Sequence, residues 1–201
     1  MSSLRRPDVL RLIDATFPDQ PVVLTLGGTI REMLAAVGRK PNHLYSLDAM
    51  GQTLAIGLGL ALGIAGDRRY DRLVVVEGDG SLLMGFSALA TTGHLHPQKL
   101  VLVVLDNGVY LATGGQPTSA RDTDLVAVAR ACGWPAARDV GGTLDDVQDA
   151  LRWAASVDGP VFLRVSVGTE QPATGYFLED PVILARDFQD WLRGGAPELG
   201  R

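Results

Sequence analysis

Four stretches of the chain are nearly unbroken in apolar residues: Val22 to Leu26, Leu73 to Val76, Leu100 to Leu105, and Val161 to Val165. A strand with one wet face alternates apolar and polar positions. Unbroken runs of this length instead predict parallel strands covered on both faces. Weaker strand patterns lie at Leu44 to Leu47 and Ala136 to Val140. Helical spacing fills the intervals, at Pro7 to Phe17, Thr29 to Val37, Gly51 to Ala65, Ser81 to Gly93, Asp122 to Cys132 and Leu144 to Ala155. Thr143 is placed to cap the last of these, with Asp145 and Asp146 in the following turn. Gln171 to Pro181 has no regular pattern, and Val182 to Leu192 closes as a final helix. Strands alternating with helices predict an α/β fold: a doubly wound, mainly parallel sheet with helices on both faces. With no repeat, linker or low-complexity segment, residues 1–201 read as one domain, with 171–201 as a C-terminal extension packed on it.

Composition narrows the picture. Of 201 residues, 46% are hydrophobic and 20% charged, enough apolar surface for a substantial core. The net charge of −5, with no basic run longer than two residues, argues against a nucleic-acid partner, which needs a basic stripe. The apolar stretch from Leu54 to Gly66 is too short to span a bilayer, and the first residues lack the apolar core of a signal peptide. Cys132 is the single cysteine; it reads as a buried small side chain and points to a reducing compartment. A soluble, cytoplasmic protein is expected.

In a sheet of this kind, ligands sit at the carboxyl ends of the strands. Three strand ends carry small or polar residues: Gly27-Gly28-Thr29, Gly78-Asp79-Gly80-Ser81 and Asp106-Asn107-Gly108. At the second, glycines let backbone approach a ligand, and a helix start favours an anion. A dinucleotide site would continue to a third glycine, where this chain has Leu83. Asp79 would repel a diphosphate unless a divalent cation lay between them. Asn107, one helix and one strand later, comes to the same sheet edge and can supply an amide oxygen to a hard ion such as Mg²⁺.

Gly78-Asp79-Gly80 followed by Asn107 resembles the fingerprint of the thiamine-diphosphate enzymes, which usually end it in Asn-Asn where this chain has Asp106-Asn107. The resemblance implies that Asp79, Asn107 and the carbonyl of Val109 hold Mg²⁺, and that Gly80 and Ser81 donate to the diphosphate of thiamine diphosphate. Leu47-Asp48-Ala49-Met50-Gly51 looks like the family loop that bends the cofactor. Met50 would be the apolar wedge and the Asp48 carbonyl would meet the aminopyrimidine, at a position where the family commonly has Gly. Gly27-Gly28-Thr29 resembles the first diphosphate loop. Val109, Tyr110 and Leu111 would continue the cofactor site. Thr113-Gly114-Gly115-Gln116-Pro117-Thr118 resembles the sulfopyruvate and phosphonopyruvate decarboxylases.

Such enzymes join a diphosphate domain to a pyrimidine domain that brings a catalytic glutamate, and only the first is legible here. Glu32, Glu77 and Asp48 have no matching context. The resemblance therefore implies a pyrimidine-domain partner subunit carrying that glutamate, in a heterotetramer or larger assembly acting on a small 2-oxo acid. A decarboxylase is the leading reading. A carboligase using the same cofactor, a dinucleotide-binding oxidoreductase domain with Asp106 on a ribose, and a non-catalytic scaffold are the alternatives. Tyr110 and Gln116 either line the substrate pocket or order the loop. Arg31 and Arg121 are candidates for an anionic substrate group or are solvated. Gly57, Gly59 and Gly63 read as close-packing positions, and His43 as a surface residue.

Overall fold

A computed structural model describes residues 4–177 and 179–194. The expectations for the extreme N-terminus and for the C-terminal extension fall partly outside them, at Met1 to Ser3, Leu178 and 195–201.

Six strands form one parallel sheet in the order β2-β1-β3-β4-β8-β7. They are β1 (Val22–Leu24), β2 (His43–Tyr45), β3 (Leu73–Gly78), β4 (Leu100–Asp106), β7 (Ala136–Val140) and β8 (Val161–Ser166). The helices are α1 (Arg6–Thr16), α2 (Gly28–Val37), α3 (Thr53–Gly63), α4 (Asp79–Met84), α5 (Ser87–Leu95), α6 (Leu125–Ala131), α7 (Leu144–Ser156) and α8 (Pro181–Leu192). None among the described residues is long and apolar enough to cross a membrane.

The unbroken apolar strands have the cause expected of them. Val74, Val76, Val101 and Val103 face one core with α1, α2 and α7, whereas Val75, Leu102 and Val104 face a second with α3, α5 and α6. Both faces of the sheet are dry, so alternation has no role. Thr143 caps α7 in a reciprocal box with Asp146.

The structure corrects four expectations and adds one hairpin. The helix over 81–93 is two helices, α4 and α5, broken at Gly85 and Phe86. A Cβ at Gly85 would lie 1.8 Å from the Gly51 carbonyl oxygen, so the approach of that loop's backbone ends the first helix. An unforeseen hairpin, β5 (Val109–Tyr110) with β6 (Gln116–Pro117), follows β4. Of the three α3 glycines only Gly57 packs tightly, against Val75; the space above Gly59 and Gly63 is open. His43 is buried at the amino end of β2, on the opposite edge from the strand ends, with Nε2 3.3 Å from Asp14 Oδ1. Cys132 is only half-buried, at the end of α6.

Candidate functional site

Chain order reverses between β1 and β3, because β1 leads outward to β2 and β3 leads the other way to β4. Strand ends diverge at such a point and leave a crevice. A cavity of about 400 Å³ opens there. Its lining includes Gly27, Gly28 and Thr29 from the end of β1, Gly78 to Ser81 from β3, and Asn107, Val109, Tyr110 and Leu111 beyond β4. Met50 and Gln116 also line it. Of the cofactor residues expected from sequence, Asp48 and Ala49 alone are not in its wall. Asp48 has φ +51°, which explains why Gly is common there: the loop needs a left-handed residue, and Asp is among the side chains that tolerate one.

Asp79 begins α4 directly after β3 and is 3% exposed. Burial raises its pKa and the nearby Asp106 carboxylate adds to that, while the Thr118 hydroxyl opposes. Thr118 Oγ1 donates to Asp79 Oδ2 at 2.6 Å. A cation at Asp79 would remove the cost that burial imposes on its charge. Asn107 Oδ1 accepts from the Val109 N–H at 3.0 Å and keeps a second lone pair. Pro117 lies opposite Val109 in the hairpin and has no N–H to offer the Val109 carbonyl. No group of three or more His, Cys, Asp or Glu suited to a metal occurs among the described residues. A site here therefore draws on one carboxylate, one amide oxygen and one carbonyl, oxygen donors that suit Mg²⁺.

Ser81 is nearly enclosed, and its Oγ accepts from the Gly51 N–H at 2.9 Å and from Thr25 Oγ1 at 3.2 Å. It thereby ties the loop carrying Met50 to the first turn of α4. The Tyr110 ring lies where a side chain at Gly80 would stand, 2.3 Å from the position of a Cβ there, so any larger residue would have to displace that ring. Gln116 both lines the cavity and donates to Thr113 Oγ1 at 2.8 Å.

The chain's own acids are engaged elsewhere. Glu32 accepts from Arg6 Nε at 2.8 Å and Nη2 at 2.5 Å. Glu77 is fully buried beneath the strand end, its pKa raised by that burial. Neither lines the cavity. Asp106 accepts from Arg164 Nε at 2.7 Å and from the Gly108 N–H at 2.8 Å, so it shapes the Asn107 turn and is not free for a ribose. Arg121 lies outside this cavity, whereas Arg31 lines it.

Sequence reasoning assigned nothing to Arg6, Thr25, Met84, Thr118 or Gln171. All but Thr118 line the cavity. Thr118 was visible as the end of a motif, but its contact with Asp79 spans 39 residues and depends on the hairpin. Arg6 sits in the first helix with no local signal, yet its Nη2 is 2.6 Å from where a Cβ at Gly28 would be.

Residues 28–165 match the family Thiamine pyrophosphate enzyme, C-terminal TPP binding domain. The chain is 42% identical over 157 residues to phosphonopyruvate decarboxylase of Streptomyces viridochromogenes, covering 78% of this chain and 38% of that protein. It is 38% identical over 164 residues to sulfopyruvate decarboxylase subunit beta of Methanothermobacter thermautotrophicus, covering 82% of each. The chain thus spans about two fifths of the phosphonopyruvate decarboxylases it matches. In fold it is similar to the thiamine diphosphate-dependent 4-hydroxybenzoylformate decarboxylase of Rhodococcus jostii, with TM-score 0.65, 21% identity, and coverage of 86% of this chain and 34% of that one. The family match covers the strand-end motifs after β3 and β4 and the hairpin between β4 and α6, and on it the chain belongs to the thiamine pyrophosphate enzymes, as their C-terminal TPP-binding domain.

Proposed function

We propose that this chain is the diphosphate- and Mg²⁺-binding subunit of a two-subunit thiamine-diphosphate-dependent decarboxylase for a small 2-oxo acid carrying a second acidic group. The observation that carries this reading is the convergence of Asp79, Asn107 and Val109 on one cavity with Gly27, Gly28 and Thr29 at the reversal of the sheet. The 38% identity to a protein named subunit beta supports a split enzyme. When bound, thiamine diphosphate supplies a thiazolium that takes up the electron pair left as CO₂ departs.

The chain's own residues then have distinct tasks. Asp79, Asn107 and the Val109 carbonyl hold the metal, and the metal offsets the diphosphate charge. Gly80 and Ser81 meet the diphosphate, and Met50 supports the bend of the cofactor. The Asp48 carbonyl would be the contact for the aminopyrimidine. The cavity wall among the described residues contains no glutamate. Proton transfer at the aminopyrimidine therefore falls to a pyrimidine-domain partner, in a heterotetramer or larger assembly. Residues 1–201 act as one domain in it, with 171–201 as an extension.

Calorimetry of thiamine diphosphate and Mg²⁺ against the chain with its partner tests the reading. Tight, metal-dependent binding that Asp79→Ala abolishes is expected, together with CO₂ release from 3-phosphonopyruvate or 3-sulfopyruvate. Absence of binding with the partner present would defeat it. Acyloin in place of free aldehyde would turn the reading to a carboligase.

A further inference from the structure

Two arginines line the cavity, and they differ in one respect. Arg6 is neutralised: two of its nitrogens bond the Glu32 carboxylate, and its side chain is 11% exposed. Arg31, in the first turn of α2, has no carboxylate within 4.0 Å among the described residues. Its Nε is buried without a hydrogen-bond partner, and its guanidinium lies over the Tyr176 ring, 5.6 Å from the centroid. A buried guanidinium nitrogen with nothing to donate to costs free energy unless an acceptor arrives. The wall thus carries one carboxylate, Asp79, and one uncompensated cation, Arg31. They stand on different elements: Asp79 follows β3, and Arg31 follows β1 on α2, beside Gln171 from the segment after β8. Arg31 also borders a smaller hollow lined by Gln171 to Thr174, so it stands at a margin of the cavity.

We infer that Arg31 is the seat for the second anionic group of the substrate, a phosphonate or sulfonate at the far end of a short 2-oxo acid. This rests on the decarboxylase reading above. Guanidinium presents a planar fork of donors that fits a tetrahedral oxyanion, and a lysine would offer only a point charge. An uncharged methyl at the same place would leave the guanidinium unsatisfied, so the seat selects against simple 2-oxo acids. The cofactor's diphosphate offers the same oxyanion chemistry, and the measurements must separate the two.

The test uses the complex of this chain with its partner, loaded with thiamine diphosphate and Mg²⁺. Calorimetry compares 3-phosphonopropanoate with propanoate, neither of which can be decarboxylated. The wild-type complex should prefer the phosphonate, and Arg31→Ala should weaken that preference by about 10- to 100-fold. Arg31→Lys should recover part of it. Decarboxylation of 3-phosphonopyruvate against pyruvate should show the same collapse in relative kcat/KM. An unchanged preference in Arg31→Ala overturns the inference. So does an equal loss of affinity for thiamine diphosphate, which would assign Arg31 to the cofactor. If the wild-type complex releases CO₂ from no 2-oxo acid while phosphonate binding still depends on Arg31, the seat stands and the decarboxylase reading falls. If decarboxylation proceeds and Arg31→Ala leaves the preference intact, the seat alone falls.

Discussion

The Thr118 hydroxyl holds the Asp79 carboxylate at 2.6 Å, joining the end of the β5–β6 hairpin to the first residue of α4. Thr118 is itself fixed, since its N–H donates to the Gly108 carbonyl at 3.0 Å. Asp79, Asn107 and Val109 are therefore not three independent donors. The hairpin sets the first through Thr118, and it contains the third.

Thr118→Val keeps the shape of the side chain and removes the hydrogen bond. Second-layer partners of metal ligands are worth about 10- to 100-fold in metal affinity. Activation of the complex by Mg²⁺ should therefore need at least tenfold more metal in this variant, with Thr118→Ser close to the parent. A Mg²⁺ titration that is the same for Val, Ser and Thr would show that Asp79 needs no such support.

Asp106 stands where the family usually has the first of two asparagines. Its two acceptor bonds, from Arg164 and from the Gly108 N–H, shape the turn that presents Asn107. Asp106→Asn should leave Mg²⁺ and cofactor affinity within about threefold, because an amide oxygen can still accept from Gly108. Arg164→Ala should instead destabilise the fold by about 1–3 kcal/mol, since it leaves a 4% exposed carboxylate with the Gly108 N–H but no cation. Combining the two substitutions should cost less than their sum in urea unfolding. Strict additivity would mean that the two side chains do not act on each other.

The sheet was legible because both its faces are dry, so Val74 to Val76 and Val101 to Leu105 announce themselves without any partner. Much of the site was legible for a related reason: Gly78, Asp79 and Asn107 are awkward residues at strand ends, and sequence alone shows what is odd about them. The break at Gly85 was not legible, because it arises from the Gly51 backbone, 34 residues away in sequence. Thr118, Arg6 and Arg164 escaped for the same cause. Each acts on a residue at least 26 positions distant, and nothing local marks it. Tertiary contact decides such roles, and periodicity carries no trace of them.

Gly57 shows how closely α3 is held to the sheet. A Cβ there would stand 2.2 Å from Val75 Cγ2. Gly57→Ala should cost about 1–3 kcal/mol by overpacking, even though alanine favours the helix. Val75→Ala opens a void and destabilises on its own, but it also makes room for the new methyl. The double variant should be more stable than the sum of the single losses predicts, by at least about 0.5 kcal/mol in thermal or urea unfolding. A double variant at or below the additive value would show that α3 moves away from the strand instead.

His43 contributes a pH-dependent part of the stability of the fold. Burial pushes its pKa from 6.5 down to about 4, against the opposing pull of Asp14, while Lys40, bonded to Asp14 at 2.6 Å, adds to the lowering. The folded state therefore resists a proton that the unfolded chain accepts, so stability rises with pH wherever the unfolded form holds more protons. The contribution is complete above about pH 6.5 and is lost progressively as pH falls to about 4. The fall from 6.5 to about 4 sets its ceiling at about 3 kcal/mol. Asp67, held near 2 by its bonds to Arg69, contributes only at more acid pH, whereas Glu77 and Asp79, both raised by burial, act with the opposite sign, so the histidine's share is read from the difference between the parent and a His43 variant. His43→Gln should thus lower stability at pH 7 somewhat and flatten the dependence between pH 4.5 and 6.5. Urea unfolding at half-unit steps checks this, and an unchanged slope in the variant would show that the proton goes elsewhere.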